Sequence, residues 1–297
     1  MATALSDWIL ANLDIDAFHG HYWRLDEASG QLQDDPSAFV ERQWNITGTP
    51  GYQAESDVFE DGDFAMNWDG TNDYGTSTIG ILNSTMDSGQ VTIGFRTSTT
   101  ANSVLMETGN SGGAQRLGFR ITGSGNLQYR WTNVAPTNQY LEETDTAWND
   151  GNWHIVTFVQ PEDGTGVRIY VDGAKQPTTR SLSGTASVDH WYQELTDLSP
   201  TGPMTRIAAN GATGAGSRFQ GDISFITTST NILTDSEASD LAESAGVISG
   251  TAKGKAGSGR GRRRRGRRGV LRTNAAGFLT PVTFEDIFGS ILNNHDR

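Results

Sequence analysis

Alternating hydrophobic and polar positions recur along most of the chain. In the run 91–96, Val91, Ile93 and Phe95 fall on one face of an extended strand, because successive side chains of a strand point to opposite sides. Similar β-prone runs, bounded by Gly, Asn, Asp or Ser, occur at 21–25, 64–68, 104–106, 117–121, 127–131, 153–159 and 167–171. This pattern predicts an all-β, two-sheet antiparallel jelly-roll sandwich and argues against a parallel α/β sheet.

A helical period is found only near the two ends of the chain. Residues 6–13 place Trp8, Ile9 and Leu13 on one face. Residues 233–242 begin with Thr234 and have Glu237 three positions later, the pattern of a capping box. Residues 283–292 carry a complete apolar stripe at helical spacing, formed by Phe284, Ile287, Phe288, Ile291 and Leu292. We therefore expect a short N-terminal helix, a helix that closes the sandwich, and an amphipathic C-terminal helix.

Composition divides the chain into four predicted segments. Residues 246–269 are rich in Gly, Ser and Arg and have too little apolar content to pack into a core. We predict an N-terminal arm with its helix at 1–16, a sandwich at 17–245, a basic linker at 246–280 and a docking helix at 281–297. The net charge of −13 is also uneven, since eleven of the 22 Lys and Arg but only three of the 35 Asp and Glu lie in residues 251–297. An acidic body of charge −21 thus precedes a basic tail of charge +8, which suggests separate roles.

The chain has no cysteine, which excludes disulfides, thiolate metal sites and a cysteine nucleophile. Its first residues have no basic region followed by an apolar run, and no later stretch approaches the length of a membrane span. We expect assembly in a host cytoplasm, without a signal peptide and without a membrane partner.

Several motifs, taken in order, resemble the laminin-G-like branch of the concanavalin A-like lectin and glucanase superfamily. They are Tyr22-Trp23-Arg24-Leu25-Asp26-Glu27, Trp68-Asp69-Gly70-Thr71-Asn72-Asp73-Tyr74, the run 91–96, Asn152–Phe158, Val167–Gly173, Phe219–Ile223 and the 233–241 helix. The resemblance spans about 225 residues. It implies a two-sheet jelly roll, a hairpin at Tyr170–Gly173, and ligand binding on loops at one rim or on a sheet face. Virion proteins of bacteriophages often carry such a surface domain, and the Gly/Thr/Ser-rich texture here is similar.

Exposed aromatic residues beside polar groups would suit a glycan. Trp191 and Tyr192, with Tyr140 and Trp148, lie in or near loop-like stretches and are the candidates; packing beneath long loops is an equally good interpretation. Trp68 and Trp153 are assigned to the core.

Enzymatic and metal-binding interpretations are weaker. Retaining glycosidases need two carboxylates about 5 Å apart, whereas the run 143–148 has Trp148 where the second acid should stand. No Gly-x-Ser-x-Gly elbow is present, and His19 and His21 suit a structural role better than a shared metal. Asp69, Asn72 and Asp73 offer the oxygen ligands that Ca²⁺ prefers, but an ordinary turn explains them better. We expect no cofactor, with Ca²⁺ as the weak alternative.

The arginine run suggests docking onto an acidic partner, which includes other copies of the chain. It consists of Arg260, Arg262, Arg263, Arg264, Arg265, Arg267 and Arg268. Arginine clusters also neutralise phosphates, but interleaved aromatic residues are absent and the acidic body would repel nucleic acid. The apolar stripe at 284–292 needs a groove to bury it, which supports docking.

Together these features predict a non-enzymatic structural protein at a virion surface, in a capsid decoration or in a tail or fibre, anchored to other virion proteins by its tail. The alternative is a lectin or adhesin for host-surface glycans, and a glycoside hydrolase ranks last.

Overall fold

A computed structural model describes residues 4–15, 20–30, 44–56, 58–59, 63–77, 87–109, 115–133, 138–192, 195, 204–210 and 217–247, and the backbone of 271–273 and 279–281. The chain forms two compact units, residues 1–252 and 253–297. Among the described residues, no helix combines the length and apolar character needed to cross a membrane.

The described residues of the first unit form two helices and sixteen strands. In chain order they are α1 (Ala4–Asn12), β1 (His21–Arg24), β2 (Asn45–Thr47), β3 (Gly51–Ser56), β4 (Phe64–Asp69), β5 (Tyr74–Ser77), β6 (Gly89–Arg96), β7 (Ser103–Gly109), β8 (Arg116–Ile121), β9 (Asn126–Asn133), β10 (Asn138–Ala147), β11 (Trp153–Gln160), β12 (Arg168–Val171), β13 (Ala174–Lys175), β14 (Thr178–Ser183), β15 (Met204–Ile207), β16 (Gln220–Ser229) and α2 (Asp235–Ser244). The second unit has the antiparallel pair β17 (Leu271–Thr273) and β18 (Leu279–Pro281).

The strands of the first unit form two eight-stranded antiparallel sheets. Sheet 1 has the order β13-β12-β11-β6-β16-β4-β3, and β1 pairs with the second half of β16, beyond the part that pairs with β4. Sheet 2 has the order β14-β10-β9-β8-β7-β15-β5-β2. This confirms the predicted two-sheet sandwich.

The main core lies between the two sheets. The predicted inward face of β6, formed by Val91, Ile93 and Phe95, is completely buried there. Aromatic rings from both sheets meet at close range; the ring centres of Phe119 in β8 and Phe158 in β11 are 4.9 Å apart. Burial of large aromatic and aliphatic side chains is the main stabilising contribution to such a core.

A second core covers part of the outer face of sheet 1. Leu5 and Ile9 of α1 and Leu241 of α2 pack there with outward-facing side chains of the sheet. Gly94 of β6 is needed at this point, because a Cβ would lie 2.6 Å from the rings of Phe59 and Phe225. Simple alternation predicts one buried face, whereas β6 is buried on both faces from Gly89 to Phe95.

Both predicted ends of the sandwich are helical, with boundaries shifted by about two residues. The hydroxyl of Thr234 accepts from the Glu237 amide and the Glu237 carboxylate accepts from the Thr234 amide, which confirms the capping box. The hairpin at 170–173 is also confirmed: Asp172 and Gly173 have φ values of 50° and 77°, which suit a two-residue turn between β12 and β13.

Candidate functional site

A polar cleft of about 470 Å³ opens at one end of sheet 1. The last residues of β4 and β6 and the first residues of β16 lie there. Its walls include Asn67 and Asp69 of β4, Arg96 at the end of β6, and Asp222 of β16. The loop residue Thr97 and Gly151 close its other side. Its volume lies in the range of small-molecule sites, which starts at about 300 Å³.

Three of the side chains that line the cleft form a row across neighbouring strands, and Trp153 stands next to that row. Trp153 of β11 is paired with Arg96, Arg96 with Asp222, and Asp222 with Asn67. Side chains directly opposite one another in a sheet lie on the same face. The row is on the outer face of sheet 1, because the next residue along each of β4 and β6 towards the strand interior, Met66 and Phe95, points into the main core.

Arg96 and Asp222 hold each other in fixed positions. Arg96 donates to Asp222 Oδ2 from Nε at 2.9 Å and from Nη2 at 2.7 Å, and its Nη1 lies 2.5 Å from Glu55 Oε2. Asn67 Nδ2 donates to the other oxygen of Asp222 at 2.7 Å. Burial alone would lower the pKa of Arg96, but the hydrogen bonds and charges of Asp222 and Glu55 raise it. The row therefore presents a guanidinium, a carboxylate and an amide in one fixed arrangement.

Trp153 separates this polar row from the helix-covered part of the sheet. The guanidinium carbon of Arg96 lies 5.0 Å from the centre of the Trp153 ring system, while Phe59 meets the same indole edge-on with ring centres 5.5 Å apart. The indole is half-buried rather than fully enclosed, contrary to its predicted core position.

Hydrogen bonds to backbone carbonyl groups hold the rim loops against the cleft. The Gly151 amide donates to Thr97 O at 3.0 Å, Asn149 Nδ2 donates to Thr99 O at 2.8 Å, and Thr97 Oγ1 donates to Gln220 O at 2.6 Å. Gly151 has a φ of 83°, and a Cβ built there would have no atom within 4 Å. The rim is thus ordered, with open space beside Gly151.

The candidate calcium ligands form a turn. Asp69 Oδ1 accepts from the amides of Thr71 at 2.7 Å, Asn72 at 3.1 Å and Asp73 at 3.3 Å. Although burial opposes it, these bonds lower the pKa of Asp69. Asp73 is buried and its Oδ1 accepts from the Thr49 amide at 2.8 Å. In the described part of the chain, no three carboxylate or histidine side chains gather to hold a metal ion. These hydrogen bonds are those of a turn closed by the Asp69 side chain, and calcium binding stays an untested alternative.

Three of the four glycan candidates are core residues, which agrees with the packing interpretation that the sequence left equally open. Trp191, Tyr192 and Tyr140 are 1%, 2% and 0% exposed. The Trp191 indole stacks nearly parallel to the Tyr129 ring, and the Tyr140 hydroxyl donates to Glu142 Oε2 at 2.9 Å. The stretch that carries Trp191 packs against the main core, which a loop-like composition does not reveal. Trp148 is half-buried and meets His154 edge-on.

The other candidate residues are placed as follows. Glu143 accepts from Gln128 Nε2 at 2.7 Å and Asp145 accepts from Thr179 Oγ1 at 2.8 Å, so each carboxylate has a different partner. His21 is buried beside Trp23, and its neighbour His19 lies outside the described residues. The docking residues, from Arg260 to Arg268 and from Phe284 to Leu292, also lie outside them.

The sequence analysis missed the polar row because its members are far apart in the chain. Arg96 and Asp222 are 126 positions apart, and only the pairing of β6 with β16 brings them together. The signal in the sequence was indirect. Of the motifs that carry the family resemblance, the run 91–96 ends at Arg96, and Phe219–Ile223 contains Asp222.

The described fold is that of a concanavalin A-like β-sandwich with a polar cleft at one end of sheet 1. Residues 95–229, somewhat less than half of the chain, match the family model of the Laminin G domain. No curated protein sequence matches the chain.

Solved structures share this architecture at low sequence identity. Domain 4 of an extracellular arabinanase from Geobacillus stearothermophilus, in complex with arabinotriose, is 16% identical, with a TM-score of 0.54; the alignment covers 75% of this chain and 97% of that one. The carbohydrate-binding module of the IT-sialidase from Ruminococcus gnavus, bound to α2,3-sialyllactose, is also 16% identical, with a TM-score of 0.45, over 54% of this chain and 84% of that one. Identities this low show a shared fold alone.

Proposed function

We propose that the sandwich is a carbohydrate-binding domain whose ligand site is the cleft at the end of sheet 1. The observation that carries the proposal is the row of Arg96, Asp222 and Asn67, held by mutual hydrogen bonds beside the half-buried Trp153. Sugar hydroxyls both donate and accept hydrogen bonds, and the row offers them a cation, a carboxylate and an amide. Fixing these groups before binding lowers the entropy lost when the ligand is ordered.

The architecture supports this proposal. The arabinanase domain with a TM-score of 0.54 was determined with a bound arabino-oligosaccharide, so a sandwich of this shape can present a sugar site. Arabinotriose and related neutral oligosaccharides are therefore the first ligands to test.

The test is calorimetric titration of the full chain with a panel of neutral oligosaccharides, comparing wild type with Asn67→Ala. Asn67 is exposed at the cleft, so its loss should weaken sugar binding about tenfold, roughly the value of one or two hydrogen bonds, with little effect on folding. Asn45→Ala is the matched control, because Asn45 is an exposed asparagine in a strand of the other sheet. Equal affinities for both variants, or no binding of any sugar, would remove the cleft as the site.

We also propose that the domain binds without hydrolysing its ligand. Glu143 and Asp145 are engaged by Gln128 and Thr179, and the position that would supply a further acid holds Trp148. Release of reducing sugar that depends on Glu143 would contradict this.

A second candidate function, attachment to a virion surface in a capsid or tail, concerns the tail. The opposite charges of the two parts of the chain, and the separate compactness of residues 253–297, favour a tail that anchors the sandwich to a larger assembly. Such an anchored lectin would display its cleft at the surface of a particle built in the host cytoplasm.

A further inference from the structure

Four arginines lie in strands of sheet 2 on its outer face, and Arg218 joins them at Tyr74, although its charge also reaches Asp69 at the cleft. Residues 1–250 contain only eleven Lys and Arg against 32 Asp and Glu. Nearly half of these basic residues thus occupy one face of a strongly acidic body: Arg116, Arg120, Arg130, Arg206 and Arg218.

The strand register places these side chains together. In β8 and β9, Phe119 and Tyr129 point into the main core, so their neighbours Arg120 and Arg130 point outward. Arg130 is paired with Gly118, Gly118 with Glu107, and Glu107 with Arg206, which forms one row across β9, β8, β7 and β15.

The arginine cluster extends beyond this row to Tyr74 in β5. The guanidinium carbon of Arg218 lies 4.8 Å from the centre of the Tyr74 ring, and that of Arg206 lies 5.8 Å from it. Cation–π contacts of this kind hold both guanidinium groups at the surface of one ring.

Glu107 is a carboxylate buried within the cluster. It is 0% exposed, and its Oε2 accepts from Arg120 Nε at 3.0 Å and from Arg120 Nη2. Gly118 leaves the space for this carboxylate, since a Cβ there would lie 2.7 Å from Glu107 Oε2. Glu107 forms an ion pair with Arg120, and its charge also acts on Arg130 and Arg206. A second carboxylate on this face, Glu143, lies opposite Gln128 and accepts from it. Five arginines stand against these two carboxylates, so the face keeps an excess of positive charge.

The arginines repel one another. Burial lowers the pKa of Arg130 to about 10, and the charges of Arg120 and Arg116 contribute to this shift. Burial also lowers the pKa of Arg206, with a further contribution from Arg218. Charged groups placed at such a cost are a frequent mark of a binding site, and an external anion would relieve the repulsion.

We propose that this face of sheet 2 binds the carboxylates of an acidic polysaccharide. Guanidinium groups pair with carboxylates through two parallel hydrogen bonds. The outward residues among the arginines include Thr76 and Gln128, whose hydroxyl and amide groups suit the hydroxyls of a sugar chain.

A nucleic acid fits this face less well. Nucleic-acid bases stack on aromatic rings that are open to solvent. On the described part of this face we find the ring of Tyr74, which is covered by two guanidinium groups. The inference depends on the charges of sheet 2 alone, so it can fail without affecting the cleft.

The test measures binding of polygalacturonate to the full chain. All proteins compared carry Gln in place of the seven arginines between 260 and 268, so that the basic tail does not contribute. Arg130→Gln should weaken binding about tenfold or more, because a charge-assisted contact is lost. Arg168→Gln, at an arginine paired with Asp163 in sheet 1, is the matched control and should bind as the parent does.

The melting temperature separates a binding role from a structural one. Because Arg130 is repelled by its neighbours, Arg130→Gln should leave the melting temperature unchanged or raise it while it lowers affinity. The cleft variant Asn67→Ala should bind polygalacturonate normally. The proposal is overturned if the parent does not bind polygalacturonate, if Arg130→Gln binds as tightly as the parent, if Arg130→Gln weakens binding of neutral arabinan to the same extent, or if single-stranded DNA or polyglutamate binds more tightly.

Discussion

His154 links the cleft rim to the turn between β12 and β13 through two carboxylates. Its Nδ1 lies 2.8 Å from Asp172 Oδ2 and its Nε2 lies 3.0 Å from Asp150 Oδ1. Asp150 directly precedes Gly151, which lines the cleft. Burial lowers the pKa of His154, but the two carboxylates outweigh this effect and raise it above 6.5. The imidazolium form therefore stabilises both the fold and the rim.

This arrangement predicts that stability falls as pH rises. A histidine whose pKa is raised in the folded state contributes fully below its unfolded pKa, near 6.5, and the contribution disappears as pH passes the raised value. The melting temperature of wild type, relative to that of His154→Gln, should decline from about pH 6 to pH 8.5.

His190 must be considered separately, because its contribution has the opposite sign. Burial lowers its pKa to about 4, so its stabilising effect is lost as pH falls below 6.5. Comparing wild type with His154→Gln at each pH cancels the His190 contribution. A difference between the two proteins that stays constant with pH would contradict the role assigned to His154.

At the scale of elements, α2 depends on its capping box. Thr234→Ala removes the hydroxyl that accepts from the Glu237 amide, and loss of such a cap costs about 1 kcal/mol. Urea denaturation should show this decrease in the free energy of unfolding, whereas Ser236→Ala, at an exposed position in the first turn, should change it little. A larger loss for Ser236→Ala than for Thr234→Ala would show that the cap is unimportant.

Local patterns predicted the elements well where local chemistry determines them. The alternation in β6, the Asp172-Gly173 turn and the capping box at Thr234 each depend on neighbouring residues, and each is confirmed. Alternation could not show that helices cover the outer face of β6, because the residues that cover it come from both ends of the sandwich.

The candidate site was harder to predict for the same reason. Its row is made by strand order, which joins β4, β16, β6 and β11 from distant parts of the sequence. The aromatic residues show the reverse case, in which candidates named from the sequence are not at the surface. Trp191 and Tyr192 lie in a stretch that has the composition of a loop, but they are packed into the core. Composition alone does not distinguish a surface aromatic residue from one that seals a core.

At the scale of the whole molecule, the two units are expected to act separately. Deleting residues 251–297 should leave the melting temperature and the sugar affinity of the sandwich unchanged, because the described cores lie within residues 5–247. Under the proposed anchoring role of the tail, sedimentation should show that the truncated chain no longer associates with the larger assembly. Loss of sugar binding on deletion would instead assign the tail to the ligand site.

The course of β16 has a mechanical consequence. This strand runs from Gln220 and Asp222 at the cleft towards α2, with one shift of register against β6 between Ile223 and Phe225. It pairs with β6 on one side and with β4 and β1 on the other. Suppose that force is applied to a ligand in the cleft while the chain is held beyond α2. That force would be transmitted along β16. Many hydrogen bonds would then be loaded together in shear rather than peeled apart one by one, so the domain should hold its ligand under tension.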